Sequence, residues 1–280
     1  MGGQTGLGIL QLKLIAEVNS IMGLRDVGWI WEGQGLDPGV PPSIFGVGEG
    51  AEYFGLERVC FMFHPNNDLA LGKLSDKKEV VCDISKWKFE DSPSGGARHL
   101  VDCAPESVKR EAENVSRLAA KFPNLTGAIH DDMKGLVERG GIRIEQYGEI
   151  YQALKSNAPN LKLWSVVYTH ELDPEAWAGF VEFMDIINLW VWKSADILKL
   201  DEDLARCRNL FPGKPIILGC YLRDYTLRAG VPMELLKFQW ERVERYVNEG
   251  LIQGYSILAA VLIDGHQEQA NWVRDFLASR

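Results

Sequence analysis

Eight short runs rich in apolar, β-branched and aromatic residues recur along the whole chain, and stretches with helical spacing separate most of them. The runs are Val27 to Trp31, Arg58 to Phe63, Glu79 to Cys82, Thr126 to His130, Lys162 to Tyr168, Asp185 to Trp190, Pro215 to Tyr221 and Gly254 to Ile263. Parallel strands need a covering crossover between them, and eight such units close most simply into a ring with no exposed edge.

The punctuation between the runs repeats. Phe122-Pro123-Asn124, Ala158-Pro159-Asn160 and Phe211-Pro212-Gly213 each end a helical stretch just before an apolar run, because a proline restrains the residue before it from continuing a helix. Pro105 opens a helix to about Lys121, and Asp173-Pro174 supplies a cap and a first-turn proline before Glu175 to Met184. Apolar residues three and four apart predict further helices over Glu145 to Ser156, Leu198 to Leu210, Met233 to Asn248 and Gln267 to Ala278. An additional helix, about Leu7 to Met22, precedes the first strand and is placed under the barrel. A doubly wound open sheet is the competing architecture, but no Gly-x-Gly-x-x-Gly follows the first strand, and Gly33 to Gly50, broken by Pro38, Pro41 and Pro42, reads as a loop. The expected fold is α/β: residues 1–280 as a single (β/α)8 TIM barrel. A length of 280 residues suits one such domain, and no linker divides it.

Net charge of −9 argues against nucleic acid as a partner, since a phosphate-binding surface needs a cationic stripe. No apolar run is long enough to span a membrane. The five cysteines, Cys60, Cys82, Cys103, Cys207 and Cys220, form no Cys-x-x-Cys pair and read as buried thiols. Met1 to Ile9 lacks the basic and apolar segments of a signal peptide, so the chain as written is expected in the cytoplasm, or in the periplasm or outside the cell if a leader has been removed.

In a parallel barrel the residues just beyond the carboxyl ends of the strands share one rim, and chemistry collects there. Those positions carry Trp31 and Glu32, His64, Asp83, His130 to Asp132, Tyr168 to His170, Trp190 to Trp192, Tyr221 with Arg223 and Asp224, and Asp264 with His266. Loops at the opposite end carry turn residues such as Pro123-Asn124, Pro159-Asn160 and Gly213-Lys214. This asymmetry is the main functional signal. The fourth strand is its sharpest part, because Gly127-Ala128-Ile129-His130-Asp131-Asp132-Met133 ends an apolar run in two adjacent carboxylates. Adjacent side chains on a regular strand face opposite ways, so only one of the two can point into the bore. Asp132 is the first choice for the reactive group, with Asp131 open.

Trp31, Trp190, Trp192, Tyr168 and Tyr221 are expected to set aromatic faces around the rim, where they would stack on the apolar faces of sugar rings. His64, Asp83, His130, His170 and Arg223 would bind hydroxyls. Alternation puts Trp29 and Trp164 in the core.

The alternating βα pattern, the strand-four ending Gly127 to Met133, the segment Pro212 to Tyr221 and the closing strand together resemble (β/α)8-barrel proteins of the glycoside hydrolase type. The resemblance covers nearly the whole chain and is architectural. It implies one carboxylic acid after strand four and a second after another strand, which would pair Asp132 or Asp131 with Asp224 or Glu32. The chain departs from the best-known pattern, having no Asn-Glu at the end of strand four and no glutamate closing strand seven. One acid would protonate the glycosidic oxygen of a neutral saccharide, a small molecule or an oligosaccharide, while the other attacks or activates water, without an organic cofactor or metal.

Two other readings stay open. His64, Asp83, His130, His170 and Asp264 could supply ligands to a divalent ion in a barrel hydrolase, aldolase or sugar isomerase, although no His-x-His or His-Glu-x-x-His occurs. A barrel that binds saccharide without cleaving it is the third. The long connections Glu32 to Gly55 and Ile84 to Ala104, the latter with Arg98 and His99, are expected to fold over the rim. The sequence leaves the oligomeric state open.

Overall fold

The computed structural model of the protein describes residues 23–32, 40–85, 87–91 and 97–280, with backbone alone for 87–91 and 97–100. Eight parallel strands form a closed barrel in chain order: β1 (Gly28–Trp31), β2 (Arg58–Phe61), β3 (Glu79–Asp83), β4 (Leu125–His130), β5 (Lys162–Tyr168), β6 (Ile186–Trp190), β7 (Ile216–Tyr221) and β8 (Gly254–Leu258). Each strand pairs with the next, and β8 returns to β1 through Gly28↔Tyr255, Trp29↔Ser256 and Ile30↔Ile257. The expected (β/α)8 barrel is therefore the fold.

The helices are α1 (Val47–Phe54), α2 (Asp68–Lys73), α3 (Pro105–Ala119), α4 (Met133–Gly140), α5 (Ile144–Lys155), α6 (Pro174–Trp177), α7 (Leu200–Leu210), α8 (Met233–Asn248) and α9 (Gln267–Ala278). Pro105 stands in the first turn of α3, where its missing N–H costs no hydrogen bond. Asp173 caps α6 by accepting the Glu175 N–H at 3.1 Å, with Pro174 behind it. The helix expected to run to Met184 stops early, however. Gly179 takes the left-handed conformation, φ +82°, and only a 3-10 turn, Val181–Phe183, follows. Strand eight likewise ends at Leu258 and gives way to a 3-10 turn, Ala260–Leu262.

Two antiparallel ribbons decorate the carboxyl end of the barrel. One, Trp87–Asp91 with Ala97–Val101, occupies the long connection after β3; the other, Arg223–Asp224 with Ala229–Gly230, follows β7. The helix expected over Leu7 to Met22, the part of the first long loop at 33–39, and the side chains of Arg98 and His99 lie outside the described residues. All five cysteines are free and buried. Among the described residues no helix is long and apolar enough to cross a membrane.

Register shows which side chains fill the bore, since partners in a parallel pair face the same way. Trp29, Ser256, Gly219, Asn188, Val166, Ile129 and Val81 belong to the inward set. Indoles dominate this interior: Trp29 meets Trp164 edge-on at 4.7 Å, and Trp31 meets Trp190 edge-on at 5.2 Å. Such bulk requires a compensating gap. Gly219 provides it, for a Cβ there would lie 2.0 Å from the Trp190 ring. Trp190 also donates its Nε1–H to Asn188 Oδ1 at 2.9 Å, and the Asn188 amide in turn donates to the Ile217 carbonyl and to Ser256 Oγ.

Trp31 and Trp190, expected as rim platforms, thus lie within this packed bore, each only 1% exposed. They form its upper floor. Alternation aimed them inward correctly, but a barrel of eight strands is wide enough only for side chains, so inward aromatics this deep become core.

Candidate functional site

The site begins where β4 ends. Ile129 faces the bore, so His130 must face outward; there it stacks on Tyr147 of α5 at 5.7 Å, with Nδ1 3.2 Å from the Tyr147 hydroxyl. This corrects the expectation that His130 orients substrate at the rim. Burial lowers its pKa to about 4, which leaves a neutral imidazole wedged between sheet and helix.

Asp131 continues the inward parity, and its backbone N–H is received by Ser85 Oγ at 2.7 Å. Asp132 then takes a left-handed backbone, φ 43° and ψ 38°, a conformation aspartate tolerates better than most residues. The strand has stopped, so strict alternation no longer applies. Asp132 turns toward β5, donates its N–H to Asp131 Oδ1 at 2.9 Å and accepts the Tyr168 hydroxyl on Oδ1 at 2.7 Å. Both carboxylates therefore reach the mouth, by different routes.

Burial raises the Asp132 carboxyl above the ordinary aspartate range, opposed by the Tyr168 hydrogen bond and by the charge of Arg139. Burial also pushes the Tyr168 and Tyr221 phenols well up, so both are neutral. Asp132 opens on a cavity of about 270 Å³. Leu136 and Arg139 of α4 form one wall, with Tyr168, His170 and Glu171 opposite and Trp192 at the edge. Trp192 is 36% exposed. It stacks flat on Tyr225 at 5.7 Å and meets Tyr168 edge-on at 5.8 Å, so one indole face stays supported while the rim side is open.

Glu171 was not among the residues expected at the site. It closes the 3-10 turn Thr169–Glu171 that follows β5, and its Oε2 accepts the Tyr168 backbone N–H at 3.0 Å. Burial raises its carboxyl too, offset by that N–H and by His170 and Lys134, while Asp132 adds to the rise. Its position one residue past His170 was the available signal. Tyr168 and His170 line the same cavity, stacked on each other at 5.4 Å beside Asp132.

The remaining candidates are distributed around the rim. Glu32 accepts the Val47 N–H at the start of α1 at 2.9 Å and lines a separate cavity of about 610 Å³ with Phe61, His64 and Lys73. His64 stacks on Phe61 at 5.7 Å. Asp83 receives the Ser85 N–H at 2.7 Å and the Phe63 N–H at 3.3 Å, tying down a turn in which Phe63 has φ 66°. Arg223 approaches His266 at 3.3 Å and lies over the Tyr225 ring. Asp264 accepts from Ser43 Oγ and the Ile44 N–H, which anchors the first long loop to the end of the barrel.

Asp224 differs from its expected part as a partner of Asp132. It is 3% exposed and accepts from the N–H and hydroxyl of both Ser194 and Thr226 and from the Leu227 N–H. Burial alone would raise this carboxyl, but those hydrogen bonds, from Ser194 first, bring it down to about 2. An acceptor so fully engaged organises loops. Asp224→Ala is expected to destabilise the protein by about 2–4 kcal/mol in urea titration, since it strands several buried donors at once; a loss below about 0.5 kcal/mol would show that the loops hold themselves.

Among the described residues no three His, Cys, Asp or Glu side chains converge as a metal site. His64, Asp83, His130, His170 and Asp264, the ligands expected for a divalent ion, are engaged at different places around the barrel.

No family model matches the sequence, and no curated protein matches it. Solved structures do. An α-L-fucosidase assignment from Bacteroides thetaiotaomicron aligns over 92% of this chain and 94% of its own, at 12% identity and TM-score 0.59. A family 18 chitinase from Crocus vernus aligns over 90% of this chain and 98% of its own, at 14% identity and TM-score 0.55. A β-glucuronidase from Bacteroides uniformis matches over 86% of this chain at 14% identity and TM-score 0.54, and this chain spans 31% of that protein's length. At such identities the likeness is one of fold. The protein is a closed (β/α)8 barrel of the architecture found in these glycoside hydrolases.

Proposed function

We propose that the protein is a glycoside hydrolase that cleaves a glycosidic bond in a neutral saccharide at the carboxyl-end mouth of the barrel, with Asp132 as the acid. The observation that carries this reading is an enclosed carboxyl of raised proton affinity, fixed through one oxygen by Tyr168 and open to a cavity edged by the half-free indole of Trp192. A general acid must still hold its proton near neutral pH, and burial shifts the Asp132 carboxyl in that direction. An indole face favours the C–H side of a sugar ring, and the surrounding His170 and Arg139 offer donors to hydroxyls. As the C–O bond breaks, the Asp132 proton passes to the departing oxygen, and water becomes the new substituent at the anomeric carbon.

Turnover is tested with a panel of 4-nitrophenyl glycosides and underivatised oligosaccharides, read by nitrophenolate release and by new reducing ends. Cleavage of at least one member by wild type supports the reading. Binding of saccharides with no cleavage of any would replace it with a non-catalytic barrel.

Tyr168→Phe gives a directional check. The lost hydroxyl donates to Asp132 and favours its ionised form, so its removal raises the Asp132 pKa further. An acid of higher pKa stays protonated to higher pH. The alkaline limb of kcat/KM is therefore expected to move upward, with a fall in rate at the optimum from the looser carboxyl; a limb that stays or moves down contradicts the role given to Asp132.

A further inference from the structure

Asp132 and Glu171 share one anchor. Tyr168 gives its phenolic O–H to Asp132 Oδ1 at 2.7 Å and its backbone N–H to Glu171 Oε2 at 3.0 Å. Asp132 Oδ2 and Glu171 Oε1 make no hydrogen bond or ion pair among the described residues, and both side chains line the same cavity. Each carboxyl is thus held by one oxygen and presents the other. The remaining carboxylates are committed differently: Asp224 is saturated by Ser194, Thr226 and Leu227, Glu32 holds the start of α1 in a separate cavity, and Asp131 Oδ1 holds the Asp132 N–H.

We infer that Glu171 is the second catalytic carboxylate and that the pair acts with inversion at the anomeric carbon, an assignment that rests on the glycosidase reading above. The two anchoring atoms lie at opposite ends of one tyrosine, its main-chain nitrogen and its phenolic oxygen. That span fits the wide pairing, about 6.5–9.5 Å, which leaves room for a water molecule, better than the narrow pairing of about 5 Å in which a carboxylate attacks directly. Roles follow from surroundings. Asp132 is the more enclosed, and burial favours its protonated form; burial raises the Glu171 carboxyl as well, but there the Tyr168 N–H, His170 and Lys134 oppose it and favour the ionised form.

The step balances as follows. Asp132 Oδ2–H gives its proton to the glycosidic oxygen, and the anomeric carbon–oxygen bond breaks with its electron pair leaving on that oxygen. A water oxygen bonds to the anomeric carbon from the opposite face, and the proton that water loses goes to Glu171 Oε1. One water is consumed per bond cleaved. Glu171 then returns a proton to solvent, and Asp132 takes one up.

The test uses whichever aryl glycoside wild type hydrolyses. Proton NMR of the first-formed sugar reads the configuration, and E171Q is compared with wild type at matched thermal stability. The glutamine still accepts the Tyr168 N–H through its amide oxygen, so it keeps the geometry and removes only the base. The expected results are a first product of the opposite anomeric configuration and a fall in kcat of a thousandfold or more in E171Q. Retention by wild type would overturn the inversion, which needs no variant to be seen. E171Q keeping more than a tenth of the wild-type rate, while Asp132→Asn is inactive, would overturn the role of Glu171 and leave the glycosidase reading standing. Wild type that cleaves no glycoside in the panel overturns the glycosidase reading itself and this inference with it.

Discussion

Asp132→Asn is expected to lower kcat/KM for an unactivated oligosaccharide by a thousandfold or more, with little change in melting temperature. The amide keeps the size of the side chain and still offers an oxygen to the Tyr168 hydroxyl, so the hydrogen bond at Oδ1 has a substitute. What disappears is the proton. General acid catalysis is worth about 10²–10⁴-fold where the leaving group is a poor one. A 4-nitrophenyl leaving group departs with far less help, so the deficit should shrink on that substrate. Equal losses on both substrates would mean that Asp132 does something other than donate a proton, and an unimpaired variant would remove it from the site.

Trp190→Ala carries the largest expected effect on stability, about 3–5 kcal/mol in urea or guanidinium titration, the usual range for emptying a buried aromatic position. The indole is 1% exposed, meets Trp31 edge-on at 5.2 Å and Tyr221 at 4.7 Å, and fills the space that Gly219 leaves open. Its loss also leaves Asn188 Oδ1 without the indole N–H in the middle of the barrel. With a melting-point sensitivity of about 2–4 °C per kcal/mol at this size, the midpoint should fall by roughly 6–20 °C. A change of under about 1 kcal/mol would mean that the bore collapses around the gap or already contains one. The placement also predicts which aromatic residues matter to ligand: Trp192 meets solvent, Trp190 does not.

The barrel was legible because its units are short and repetitive. Phe122-Pro123-Asn124 and Phe211-Pro212-Gly213 mark helix ends by steric rules that act within two or three residues, and α8 and α9 run from Met233 to Asn248 and from Gln267 to Ala278 as their apolar spacing implies. Aspartates at the end of the fourth strand were legible for the same reason, since the topology brings every strand end to one rim.

What escaped depends on contacts between distant segments or on departures from regular backbone. His130 faces α5 because Ile129 faces the bore, a parity fixed by pairing with Trp164 thirty-five positions onward. Asp224 looked available because Ser194 meets it only once the ribbon after β7 has folded against the end of β6, while Thr226 and Leu227 bind its other oxygen in a local turn that departs from regular strand. The rise of Asp132 into the same cavity as Tyr168 needs a left-handed residue just after the strand, which no alternation rule contains. Glu171 stands in a short 3-10 turn whose hydrogen bond back to Tyr168 is local, yet only the arrival of Asp132 from the neighbouring strand gives that carboxylate something to work with.

The most direct measurement is a crystal structure of the Asp132→Asn protein with an oligosaccharide that wild type cleaves. The account predicts a bound chain crossing the mouth between β4 and β6, one ring against Trp192 and the scissile oxygen within hydrogen-bond reach of residue 132. A saccharide seated instead in the cavity beside Glu32 and His64, with nothing near residue 132, would contradict it.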